Sequence, residues 1–157
     1  MAVIGGVIFA VIQMRQYREG RKREISLELL RAFMTPDFAK ALQAIFTMPD
    51  GLTKKEIEEH AGEDIHLVWA WMFIWESLGV LVFHGEVSLS LVDDFFSAPI
   101  LIGWRKLRPH ILEEREAMNR ETIGEWFEWL ADRMAERESD TPPIPAHIAH
   151  RSWVSKG

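Results

Sequence analysis

Residues 65–78 read IHLVWAWMFIWESL, an apolar run that holds three tryptophans and one carboxylate, Glu76. Fourteen residues fall short of the roughly 20 that a membrane helix needs, and Glu76 would be costly in hydrocarbon. The run is therefore predicted to be the central core helix of a helical body, with Gly79 as its C-cap. A carboxylate among Trp69, Met72, Phe73 and Trp75 needs a partner, and Arg105, Arg108 and Arg115 are the available cations. Glu76 with Arg115 is the candidate buried ion pair. The chemical alternative is a proton-handling acid with a raised pKa. Trp71 and Trp75 are four apart, on the side of this helix away from Ile65 and Met72. Either the helix is covered all round, as a central helix in a bundle should be, or Trp71 and Trp75 form a candidate face for a protein partner.

Working outward toward the C-terminus, residues 80–83 are β-branched and aromatic, and His84, Gly85 and Glu86 turn the chain. This reads as one arm of a very small hairpin or as an extended link. Ser88 caps a helix that carries Leu89, Leu91, Val92, Phe95 and Phe96. Pro99 opens a longer helix to about Met118, with Pro109 inside it at the cost of a hydrogen bond and a bend. A last helix over 121–138 places Ile123, Trp126, Phe127, Leu130 and Met134 on one face. The proline-containing tail, 139–157, is expected to be unstructured.

Toward the N-terminus, Thr53 and Glu56 form a capping box for a short helix, and Met48, Pro49, Asp50 and Gly51 make a turn. Thr35 as N-cap and Pro36 at the first helical position start a helix over 36–46 that buries Phe38, Leu42, Ile45 and Phe46. Before it, Ile25, Leu27, Leu29, Leu30, Phe33 and Met34 keep helical spacing. The fold class that follows is all-α: a compact bundle of about six helices over 25–138, with at most one tiny hairpin, behind an N-terminal membrane and stalk helix over 1–24.

Residues 1–14, MAVIGGVIFAVIQM, carry no charge, and Arg15, Arg18, Arg21, Lys22 and Arg23 follow. A signal peptide would place its cations before the apolar run, so this order predicts an uncleaved anchor. The apolar part covers roughly 20 Å as a helix against a hydrocarbon thickness of roughly 30 Å. The crossing is thus incomplete as written, unless the bilayer is thin or deformed there or the natural chain starts earlier. Tyr17 and the five cations are the candidate membrane-interface residues. Their position puts the N-terminus outside and the helical body in the cytoplasm, at an inner membrane. Ala2, Gly6 and Ala10 fall four apart, a candidate helix-packing face for self-association or for another membrane subunit.

Charge and composition exclude several function classes. The chain has a formal net charge of −6; outside the basic cluster 13 Lys and Arg face 22 Asp and Glu, so the remainder is repelled by nucleic acid. There is no cysteine, which removes disulfides and thiolate chemistry. His60 and His66 straddle a glycine, His147 and His150 lie in the tail, and neither pair has a third ligand, so no metal is expected. His110 beside Glu113 and Glu114 reads as a surface helix face. No phosphate loop or nucleophile elbow is present, so no cofactor and no catalytic residue is predicted.

The segment 71–96, WMFIWESLGVLVFHGEVSLSLVDDFF, followed by Trp104, by Pro109, His110 and Ile111, and by Arg115, resembles a bacterial family of unknown function. The resemblance extends over about residues 4–133 and implies one N-terminal membrane helix joined to a small cytoplasmic helical domain, with Glu76, Gly79, Trp104, Pro109 and Arg115 as framework positions. The segment 52–83 is also similar to a winged-helix DNA reader, but its second helix offers Trp, Met and Phe where base readout needs Arg, Lys, Asn or Gln. The sequence thus points to a membrane-anchored interaction or scaffold protein, or an accessory subunit of a membrane complex. The alternatives are a winged-helix-like regulatory module and an enzyme with a Glu76/Arg115 cleft.

Overall fold

A computed structural model describes residues 24, 27, 28, 31, 33–140 and 142–155. The anchor stretch, the Ala2, Gly6, Ala10 face and the interface residues Arg15, Tyr17, Arg18, Arg21, Lys22 and Arg23 lie outside the described residues. The fold is all-α, and no strand occurs among the described residues.

Helix α1 spans Pro36–Thr47, α2 Lys54–Ala61, α3 Ile65–Phe83, α4 Leu89–Met118, α5 Glu125–Asp140 and α6 Ala146–Ala149. A 3-10 turn, Gly62–Asp64, joins α2 to α3. Three helix starts follow the side-chain chemistry read from the sequence. Thr35 Oγ1 accepts from the Phe38 N–H at 3.2 Å, and Pro36 stands in the first turn of α1. Thr53 and Glu56 close a reciprocal capping box at α2. Ser88 Oγ accepts from the Leu91 N–H at 3.2 Å and starts α4.

Two helices run on through a presumed breaker because a buried stripe continues, whereas the last helix starts at Glu125 rather than at 121, after Gly124 with φ +66°, so Ile123 lies in the preceding turn. In α3 the buried residues Val68, Trp71, Trp75, Leu78 and Val82 recur at intervals of three or four, so the helix continues past Gly79 to Phe83. Neither a hairpin arm nor a winged-helix wing forms at 80–83. Gly79 is needed for close approach instead: a Cβ there would meet the Trp126 carbonyl oxygen of α5 at 2.5 Å. The chain turns two residues after the helix, at Gly85 with φ +72°.

In α4 the stripe Val92, Phe96, Ile100, Gly103, Leu107 and Ile111 is continuous, so the segments expected on either side of Pro99 form one helix of 30 residues. Pro99 and Pro109 each remove one N–H from it. The carbonyls they free belong to Phe95 and Arg105, both exposed residues where water can take the bond. Asn119, with φ +47°, closes α4.

Helix α3 packs on α1 and α5, and α4 packs on the same two helices. Their shared interior is aromatic. Trp71 and Trp75 are 1% and 0% exposed and meet edge to face at 5.1 Å, Phe127 lies edge-on to Trp71 at 6.0 Å, and Phe33 stacks on Trp75 at 5.2 Å. The candidate partner face at Trp71 and Trp75 is therefore core, and the face carrying Trp69, Met72 and Phe73 is the one less covered. Gly103 makes room for the buried indole: a Cβ there would lie 2.0 Å from Trp71 Cη2. In α1, Ala41 rather than Phe46 joins Phe38 and Ile45 inside. The tail carries the single-turn helix α6 where an unstructured segment was expected.

Candidate functional site

Three helix faces and one loop enclose a cavity of about 480 Å³. Lys54 and Glu58 reach it from α2, four residues apart. Helix α3 supplies Trp69, Met72, Phe73 and Glu76, which fall on one side of a helix at intervals of three or four. From α4 come His110, Glu114 and Met118, each four residues after the last, together with Ile111. Thr122, Ile123 and Gly124 of the loop between α4 and α5 close it. Phe73 and Met118, both mostly exposed, stand at its mouth.

Glu76 is held by a helix end rather than by a cation. Its Oε2 accepts from the Phe127 N–H of α5 at 2.8 Å, and the Trp126 N–H is also directed at the carboxylate. Gly124, just before α5, has φ +66° and no side chain to cap with. Glu76 thus supplies from α3 the oxygen that the first turn of α5 lacks. Burial raises its pKa above the ordinary carboxylate range, against the two N–H donors and Arg115, which lower it.

Arg115 does not pair with Glu76. Its Nη1 meets Glu128 Oε2 at 2.7 Å, and its Nε donates to the Ile123 carbonyl at 2.8 Å. Geometry is the reason: the Arg115 guanidinium is directed at α5 and the loop before it, where Glu128 and the Ile123 carbonyl lie. Glu76 and Arg115 therefore both hold the start of α5. Arg115 is buried and does not line the cavity, so the expected Glu76/Arg115 cleft is absent.

His110, read from the sequence as a surface residue, is 3% exposed. It stacks on Trp69 with ring centres 4.5 Å apart, and its Nδ1 is buried with no hydrogen-bond partner. Burial pushes its pKa below the ordinary 6.5, with Glu114 opposing. Lys54 Nζ pairs with Glu114 Oε1 across the α2–α4 contact, which holds the Glu114 carboxyl low and the Lys54 ammonium high. Among the described residues Glu58 has no ion pair. The four-residue spacing of His110, Glu114 and Met118 was the available signal for this wall. It went unread because adjacent Glu113 and Glu114 made the whole turn look solvated.

Lys106 is a second buried cation that the sequence reading missed. Its Nζ donates to the Met48 carbonyl and lies 3.1 Å from Asp50 Oδ1, which ties α4 to the turn after α1. Arg105 joins the same Asp50 at 2.9 Å. Among the described residues no group of three or more His, Asp or Glu side chains is arranged to hold a metal.

No curated protein and no solved structure matches this chain. Residues 1–134 match the family described as Domain of unknown function (DUF4760), which takes in the apolar stretch 1–14, the aromatic core, the cavity and the Glu76 and Arg115 contacts to α5, and the chain belongs to that family.

Proposed function

We propose that this chain is a membrane-anchored helical binding module, an accessory or scaffold subunit that holds its body at the cytoplasmic face of an inner membrane. The observation that carries the reading is the order of residues 1–23: an uncharged apolar run, then five cations and a tyrosine. The body behind it is acidic, which keeps it from lying flat on anionic lipid and leaves its surface free for protein partners. Exposed Phe73 and Met118 share one cavity rim, and exposed Phe83 groups with Trp126 and Trp129, which supports an interaction role, since large apolar side chains in water mark contact sites when they group. By length and composition residues 54–83 could also cross a membrane, but Trp71 and Trp75 of this segment form the core with α1 and α5, which favours residues 1–14 as the anchor.

The test is affinity purification of the tagged chain from detergent-solubilised membranes, with identification of the chains that co-purify. The reading expects defined partners, whose recovery falls when Phe73 or Phe83 is changed to Ser. Recovery of the protein from the soluble fraction, alone, overturns it.

A further inference from the structure

The α2–α3–α4 cavity has a chemistry of its own, independent of whether the chain is anchored. Its size falls within the roughly 300–1,000 Å³ of small-molecule sites, and its walls are mostly apolar with a few convergent polar groups. Of its four charged side chains, Lys54 and Glu114 neutralise each other, leaving Glu58 without an ion pair and Glu76 facing only backbone donors. His110 adds a ring nitrogen that is buried and unpartnered. A neutral imidazole keeps one acceptor nitrogen, so all three unsatisfied or part-satisfied groups can accept a hydrogen bond. Beside them stand Phe73 and Trp69, the latter with one face covered by His110, aromatic rings of the kind to which a cation is drawn.

We propose that this cavity binds a small organic cation, a primary amine or a quaternary ammonium on an aromatic or short alkyl body, with Glu58 and Glu76 matching its charge, the His110 ring accepting from an N–H where the cation is a primary amine, and Trp69 and Phe73 covering the apolar part. An anionic ligand would face two carboxylates with the cavity's one ammonium already paired. A neutral ligand would leave the Glu76 carboxylate unmatched in a partly dry site. The cavity therefore selects by charge as well as by shape.

Calorimetric titration of the full chain in non-ionic detergent tests this with 2-phenylethylamine and benzyltrimethylammonium. The neutral 2-phenylethanol and the anionic 3-phenylpropionate serve as matched controls. Saturable binding of either cation is expected, with both controls at least about tenfold weaker, the worth of one charge-assisted hydrogen bond. Glu58→Gln, on an exposed turn of α2 where folding is not at stake, is expected to weaken the cation by about tenfold. Trp69→Leu should weaken benzyltrimethylammonium, which has no N–H to donate, more than it weakens 2-phenylethylamine. The proposal is overturned if neither cation binds, if the alcohol or the carboxylate binds as tightly, or if Glu58→Gln leaves the affinity unchanged.

Discussion

Glu76 is buried enough to prefer its proton more than a free glutamate does, yet its oxygens serve backbone N–H groups of α5. The amide oxygen of glutamine serves the same donors without the charge. Glu76→Gln is therefore expected to stay within about 1 kcal/mol of the parent at neutral pH, whereas Glu76→Ala loses the cap and costs about 1–2 kcal/mol, both read from denaturant unfolding. Protonation gives the second check at this scale. The folded His110 gives up its proton at a lower pH than the unfolded chain, so below the ordinary 6.5 the unfolded state binds more protons and stability falls with pH. Between about pH 7.5 and about pH 5.5 the melting temperature of His110→Gln should fall less than that of the parent. The importance of Glu76 was legible from its apolar neighbours. Its partner was not, because a backbone N–H on a helix 51 residues away leaves no mark in the side-chain pattern that suggested Arg115.

Helix starts were legible because capping is local: Thr35 with Pro36, Thr53 with Glu56, and Ser88 each act within one turn. Helix interruptions were misread because Gly79 and Pro99 look like terminators, while the tertiary stripe that overrides them depends on what lies opposite. Gly79 exists for the Trp126 backbone and Gly103 for the Trp71 indole, both contacts between distant segments. A methyl group at residue 103 would overlap the indole at its outer ring carbon. Gly103→Ala is expected to destabilise by about 1–3 kcal/mol in spite of alanine's better helix propensity. Trp71→Phe removes the overlapping carbon together with an indole N–H that has no partner in the core. In the double variant the Gly103→Ala penalty should therefore shrink by at least about 1 kcal/mol in a double-mutant cycle. Simple additivity of the two would mean that the close approach is not what selects glycine.

At the scale of the whole molecule, the all-helical class followed from periodicity, and the aromatic centre from residues 65–78. The cavity did not, since its walls come from three helices whose mutual placement depends on Gly79, Gly103 and the Glu76 and Arg115 anchors. The proposed picture is an aromatic helical body of acidic composition, held to a membrane by its first residues. That tether is the central claim, and flotation of cell membranes in a density gradient after alkaline carbonate extraction tests it most directly. The full chain is expected to rise with the lipid, and to stay at the bottom when Val7, Ile8 and Val11 are all changed to Asp. A parent chain that stays at the bottom with the soluble proteins, or a triple variant that floats as the parent does, would contradict it.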